Sequence, residues 1–167
     1  MFLLVRDVSR YAEWGPLFLG LFSTAERADA ARVAYIESVR ANDPLREQAY
    51  HVPDLANDVR VASIADRRSV VEAPTVFLVT LHAEGMGQSF RDYLAVFSSM
   101  DDASNCAETV SAKAAIKPVI PEYVSIEEIV PDDTAYFTAS PFEAFTGGLW
   151  QGKQPGERSN RALSKEG

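Results

Sequence analysis

His82 and Glu84 stand two residues apart. On a strand that spacing puts both side chains on one face, which is how a His/carboxylate couple or half of a metal site is built. A metal would need further ligands. The only other histidine is His51, in an expected loop with no second ligand beside it. We therefore expect no metal, and read His82 as a histidine at a strand end.

Gly85-Met86-Gly87-Gln88-Ser89 has the look of a phosphate-cradling loop. It lacks a third glycine and a following lysine, and the run Phe90–Phe97 reads as strand where such a loop would open a helix. Its glycines are expected to serve a turn. Cys106 falls on the apolar stripe of a helix with Asp102, Ala103, Thr109 and Val110 around it, none of them basic. That is a structural thiol rather than an activated nucleophile. No Gly-x-Ser-x-Gly elbow is present. The doublets Asp101-Asp102, Glu127-Glu128 and Asp132-Asp133 are expected on solvated surface, and Arg67-Arg68 is too short for a nucleic-acid patch. No catalytic residue and no cofactor is expected.

The elements that would carry these residues are written twice. Shifting the chain by 75 residues brings Phe2 onto Phe77, Leu3 onto Leu78, Leu19 onto Leu94, Phe22 onto Phe97, Ser23 onto Ser98 and Ala28 onto Ala103. Each unit opens with a run apolar on both faces, Phe2–Val5 and Val76–Leu81, as in a well-covered central strand. A polar link and a second apolar run follow, Leu17–Phe22 and Phe90–Phe97, which together read as a hairpin. Next comes a helix start: a capping box at Ser23-Thr24-Ala25-Glu26, and a weaker version at Ser98-Ser99-Met100-Asp101. Ala28, Ala31, Tyr35 and Val39 form one helical stripe, matched by Ala103, Cys106, Val110 and Ala114. A last strand closes each unit, at Val59–Ile64 and Tyr123–Val130.

The expected fold is thus α+β, with internally duplicated strand-strand-helix-strand units. Residues 1–66 form the first unit, 67–75 a linker, 76–135 the second unit, and 136–167 a short helix and polar tail. A unit of this size is marginal alone. One six-stranded, largely antiparallel sheet with both helices on one face is the first expectation; two small sheets packed through their helices is the alternative. In the last segment, Ser140-Pro141-Phe142-Glu143 predicts a helix over about Pro141–Thr146, ended by Gly147-Gly148. Phe142, Phe145 and Trp150 would make it an aromatic arm that docks on its own body or on a second copy.

The unit resembles a group of small bacterial and phage domains of unknown function. These share a strand hairpin, a Phe-Ser-Ser or Phe-Ser-Thr helix entry, an Ala-rich helix and a last acidic strand. The carriers here are Phe22-Ser23-Thr24 and Phe97-Ser98-Ser99, and the likeness covers roughly residues 1–66 and 76–133. The passage NDPLREQAYHVPDLAND before Val59 departs from it. The resemblance implies a fold more than an activity.

Composition sets the class of partner. At 167 residues and 47% apolar, the chain can bury a core and is not disordered throughout. No apolar run approaches the roughly 20 residues of a membrane span, and the opening FLLV reads as strand rather than signal peptide, so a cytoplasmic location is expected. The net charge of −8 is uneven: residues 1–75 carry 9 Arg against 11 acids, and residues 76–140 carry 3 basic residues against 10 acids. Such a field disfavours phosphate backbones; it is compatible with a basic protein partner, and plain solubility is the alternative reading of it. Tyr11 and Trp14, in an expected loop, either cover the core or anchor a partner. The function expected is a non-enzymatic protein-binding module, a small acidic regulator or inhibitor, with binding residues Tyr11, Trp14, Asp101, Asp102, Glu127, Glu128, Phe142, Phe145 and Trp150. The alternatives are a structural subunit of a larger assembly, possibly of a phage, and an enzyme of unrecognised type.

Overall fold

The computed structural model describes residues 1–7, 16–40, 54–85, 88–114 and 122–138. The expectations for Tyr11, Trp14, His51, Phe142, Phe145, Trp150 and a helix over 141–146 fall outside these residues.

The first part of the chain forms β1 (Phe2–Asp7), β2 (Pro16–Phe22), helix α1 (Ala25–Val39), a single turn α2 (Leu55–Asp58) and β3 (Val59–Ser63). A two-residue β4 (Ala65–Asp66) follows. The second part gives β5 (Val76–Gly85), β6 (Gln88–Phe97), helix α3 (Met100–Ala114) and β7 (Glu122–Ile129), then a 3-10 turn at Ala135–Thr138. The protein is α+β, and apart from β4 on β6 its strands pair antiparallel.

The strands make two sheets, in orders β2-β1-β3 and β4-β6-β5-β7, and not the single six-stranded sheet expected. The two sheets face each other. Leu3, Val5, Phe18 and Leu21 of the first share one buried cluster with Val76, Leu78, Val96 and Ile129 of the second. The opposite face of the first sheet, with Leu4, Leu19 and Phe22, packs on Ala28, Ala31 and Tyr35 of α1. The opposite face of the second, with Val79, Ala95 and Phe97, packs on Ala103 of α3. The layers therefore run helix, sheet, sheet, helix. The helices lie on opposite outer faces, which corrects both the one-face arrangement and the packing through helices. The doubly apolar runs of β1 and β5 follow from this: one side meets a helix and the other a sheet.

The pairing recurs at the 75-residue offset. Phe2 pairs with Phe22 and Phe77 with Phe97; the register shifts between Leu4 and Val5 in one sheet and between Val79 and Thr80 in the other. The bulge leaves Gly20 opposite Leu4 and Ala95 opposite Val79. Gly20 is needed for its missing side chain: a Cβ there would meet the Phe22 ring at 2.9 Å. With Phe22 only 2% exposed, the ring has little room to give way.

The helix entries differ in detail from the expectation. Thr24, not Ser23, caps α1, its hydroxyl accepting from the Arg27 amide at 3.2 Å. Ser23 instead donates its amide and hydroxyl to Asp132, which also receives Arg27 Nη1. Asp132 has φ 63°, a left-handed conformation that a short polar side chain tolerates. Its amide donates to the Leu21 carbonyl. In α3, Ser99 accepts from the Asp102 amide and donates back to its carboxylate at 2.8 Å, a reciprocal cap.

Two crossings blur the expected unit boundaries. β4 lies at the end of the first unit yet pairs in parallel with β6, as Ala65–Ala95 and Asp66–Val96. Phe137, beyond the second unit's expected end, stacks edge-on against Tyr35 of α1 at 5.4 Å. Among the described residues no helix is long and apolar enough to cross a membrane.

Candidate functional site

Where β5, β6 and β7 run past the intersheet core, the inner face of the second sheet turns polar. Strand alternation brings this about. Ile126 and Val124 of β7 lean toward α3, so Tyr123, Ser125 and Glu127 point inward. In register with them, Thr80 lies opposite Ser125 and Tyr93, and His82 opposite Tyr123 and Arg91. Sequence separations of 43 residues between His82 and Ser125 kept this cluster out of the sequence reading; strand pairing alone assembles it.

His82 Nε2 lies 2.8 Å from Ser125 Oγ, and Ser125 Oγ lies 3.5 Å from Glu127 Oε1. The imidazole stacks on the Tyr123 ring, with centroids 4.5 Å apart and planes 1° from parallel. Tyr93 reaches across to the first sheet, donating its hydroxyl to the Pro16 carbonyl at 2.9 Å and leaning on Phe18. Burial pushes the Tyr93 phenol well above its usual range. Burial also lowers His82, with the Arg91 charge adding to it, from an ordinary 6.5 to about 4. At neutral pH His82 is therefore an uncharged imidazole and a weak proton acceptor. The chain His82–Ser125–Glu127 sets the serine between the other two, whereas an acyl-transfer triad needs the imidazole in the middle. The arrangement ties strands together; it does not prepare a nucleophile.

A pH dependence follows. The unfolded chain protonates His82 near 6.5, the folded protein only near 4. This contribution is complete above about pH 6.5 and is lost as the pH falls toward 4. We expect about 1–2 kcal/mol of stability to disappear across that window after allowance for solvent screening. Asp58, raised by burial, works the other way at the acid end. Urea melts from pH 7 to 4 should show the loss, and His82→Gln should flatten it. A slope identical in the variant would assign the effect to other groups.

The acidic residues expected to bind a partner separate. Asp101, Asp102 and Glu128 are exposed, while Glu127, expected beside them, is 6% exposed and turned between the sheets. Neighbours on a strand face opposite ways, so one of the Glu127-Glu128 pair had to go in. Cross-strand pairing sets Glu128, Phe77 and Phe97 in one row, and α3 begins three residues after Phe97. Asp101 and Glu128 thus share one end of the outer layer. Three acids elsewhere sit in ion pairs: Asp7 with Arg60, Asp66 with Arg68, Asp132 with Arg27. The Arg68 pairing holds Asp66 down to about 2. Among the described residues no ion pair engages Asp101, Asp102, Glu108 or Glu128. Cys106 is a half-buried free thiol. Among the described residues no group of three or more His, Cys, Asp or Glu is placed to hold a metal. Glu84 lies two residues after His82 on β5, in register with Ser89 of β6.

No family model, curated protein or solved structure matches the chain.

Proposed function

We propose that the chain is a non-enzymatic protein-binding module whose partner presents a basic surface. The observation that carries this reading is the uneven charge balance. Residues 1–75 set 9 Arg against 11 acids, whereas residues 76–140 set 3 basic residues against 10 acids, and the outer face of α3 and β7 keeps Asp101, Glu108 and Glu128 in solvent with no ion pair among the described residues. Unmatched surface charge of one sign steers association with the opposite sign. The recurring rows and bulge support a further reading, that the body arose by duplication of one strand-strand-helix-strand module. A small regulator or inhibitor of another protein fits both.

The test reverses Asp101, Glu108 and Glu128 to lysine together. Asp102 is left alone because its carboxylate and amide both serve the Ser99 cap. Pull-downs from the native host should recover a basic protein with the wild type and at least about tenfold less with the variant, and rising salt should mimic the mutations. The stability cost should stay below about 1 kcal/mol, mainly from Asp101 in the first helical turn. Capture that is equal for both proteins at all salt concentrations would leave the acids as solubilising surface only.

A further inference from the structure

Every open sheet has edges, and an edge strand offers unpaired backbone groups to any other strand. The edges of this protein are not alike. β2 begins at Pro16, is broken by the bulge, and has its Leu21 carbonyl taken by the Asp132 amide. β3 is five residues long, with the Val59 carbonyl taken by Arg32 Nε at 2.6 Å. β6 is covered by β4 at Ala95 and Val96, and its remaining length is kinked by a register shift and carries Arg91. Each of these is short, interrupted or occupied.

Among the described residues β7 is none of those. It pairs with β5 over eight consecutive residue pairs without a register shift. Its sequence, EYVSIEEI, contains no proline, glycine or lysine and is rich in β-formers. Tyr123 is 50% exposed and Val130, just beyond the strand, 45% exposed. Its charges are all negative: Glu122, Glu127 and Glu128. A second copy of β7 laid on this edge would bring acid against acid, which cross-strand pairing penalises. The inward Glu127 adds a further guard against indiscriminate pairing. What remains favoured is an extended strand rich in lysine or arginine.

We propose that β7 is a docking edge, and that a basic extended segment of another protein adds to it as a fifth strand of the sheet β4-β6-β5-β7. Main-chain hydrogen bonds supply the affinity and the exposed Glu128 selects the sign of charge, while the half-exposed Tyr123 ring, stacked on His82, offers an aromatic face at one end. The proposal rests on the basic-partner reading and gives it a place and a geometry.

The test uses the full-length protein and three probes: a fluorescein-labelled decapeptide of alternating lysine and valine, the same peptide with glutamate for lysine, and lysozyme, a folded basic protein. The lysine peptide should bind and the glutamate peptide should not. Binding should weaken at least about tenfold at high salt and several-fold in Glu128→Lys. Amide hydrogen exchange within residues 122–129 should slow about tenfold or more on binding, with α3 unchanged. Binding without added protection in β7 overturns the proposal. So does light scattering that shows a dimer with β7 already protected, since a second copy then owns the edge. Protection of the β7 outer amides in the free monomer overturns it too, because the chain itself then covers them. Lysozyme binding without peptide binding leaves the basic-partner reading standing and removes the edge. If neither basic probe binds, both fall.

Discussion

Leu78→Ala is expected to lower the free energy of unfolding by about 2–5 kcal/mol, and to do so for the whole chain at once. Leu78 is fully buried, and its neighbours are drawn from both sheets: Leu3, Val5, Phe18 and Leu21 on one side, Val96 and Ile129 on the other. A cavity at that point removes contacts from each sheet, so neither keeps an intact inner face. Urea unfolding followed by circular dichroism should stay a single transition with an earlier midpoint. Amide exchange should then accelerate in α1 as well as in β5. If α1 keeps its wild-type protection while β5–β7 lose theirs, the two sheets fold as separate units and the common core is wrong.

Thr80→Val is expected to raise stability by about 1–2 kcal/mol, the unusual direction for a core substitution. Thr80 is 1% exposed, and its hydroxyl has no hydrogen-bond partner among the described residues. Leaving a buried hydroxyl unpaired costs free energy that an isosteric methyl would not. The fold offers its own control, because the position 75 residues earlier, across the same bulge, is Val5. Thermal and urea midpoints should both rise in the variant. A midpoint that falls would mean that the Thr80 hydroxyl is satisfied and contributes to the inner polar face.

Much of this was legible in the sequence, for identifiable reasons. The strands and helices follow from apolar runs, alternation and Ser/Thr entries, and those signals are local. β5 and β6, expected at Val76–Leu81 and Phe90–Phe97, are longer, because the hairpin continues through His82–Gly85 and Gln88–Ser89 where polar residues mask the alternation. What covers a face is not local. An apolar run such as Phe2–Val5 states that both sides are buried without saying whether a helix or a sheet does it. The face-to-face sheets were therefore missed. β4, two residues long, carries no pattern. Glu127 was a different kind of miss: adjacent acids look equivalent as a doublet, yet the strand they occupy must send one inward. The Ser125–His82 contact joins residues that only strand order brings together.

The crossings at the two ends of the body have a consequence for how its halves are held. β4 belongs by sequence to the first half and by hydrogen bonding to the second; Asp132 and Phe137 belong by sequence to the second and bond or pack on Ser23 and Tyr35 of the first. Each half thus lends the other a finishing piece, and the halves clasp as the two subunits of a swapped dimer do. The peptide that joins them exposes Val70 and Val71, at 57% and 70%, but is itself tied to the second half, where the Ser69 and Val70 amides donate to Ser98 Oγ and the Arg67 amide to the Val96 carbonyl. It both raises the local concentration of one half around the other and adds to the clasp. Cohesion resides in the shared core and the clasp, so a nick between Val71 and Glu72 would leave one particle, and the chain is in effect a heterodimer whose subunits happen to be written in a single reading.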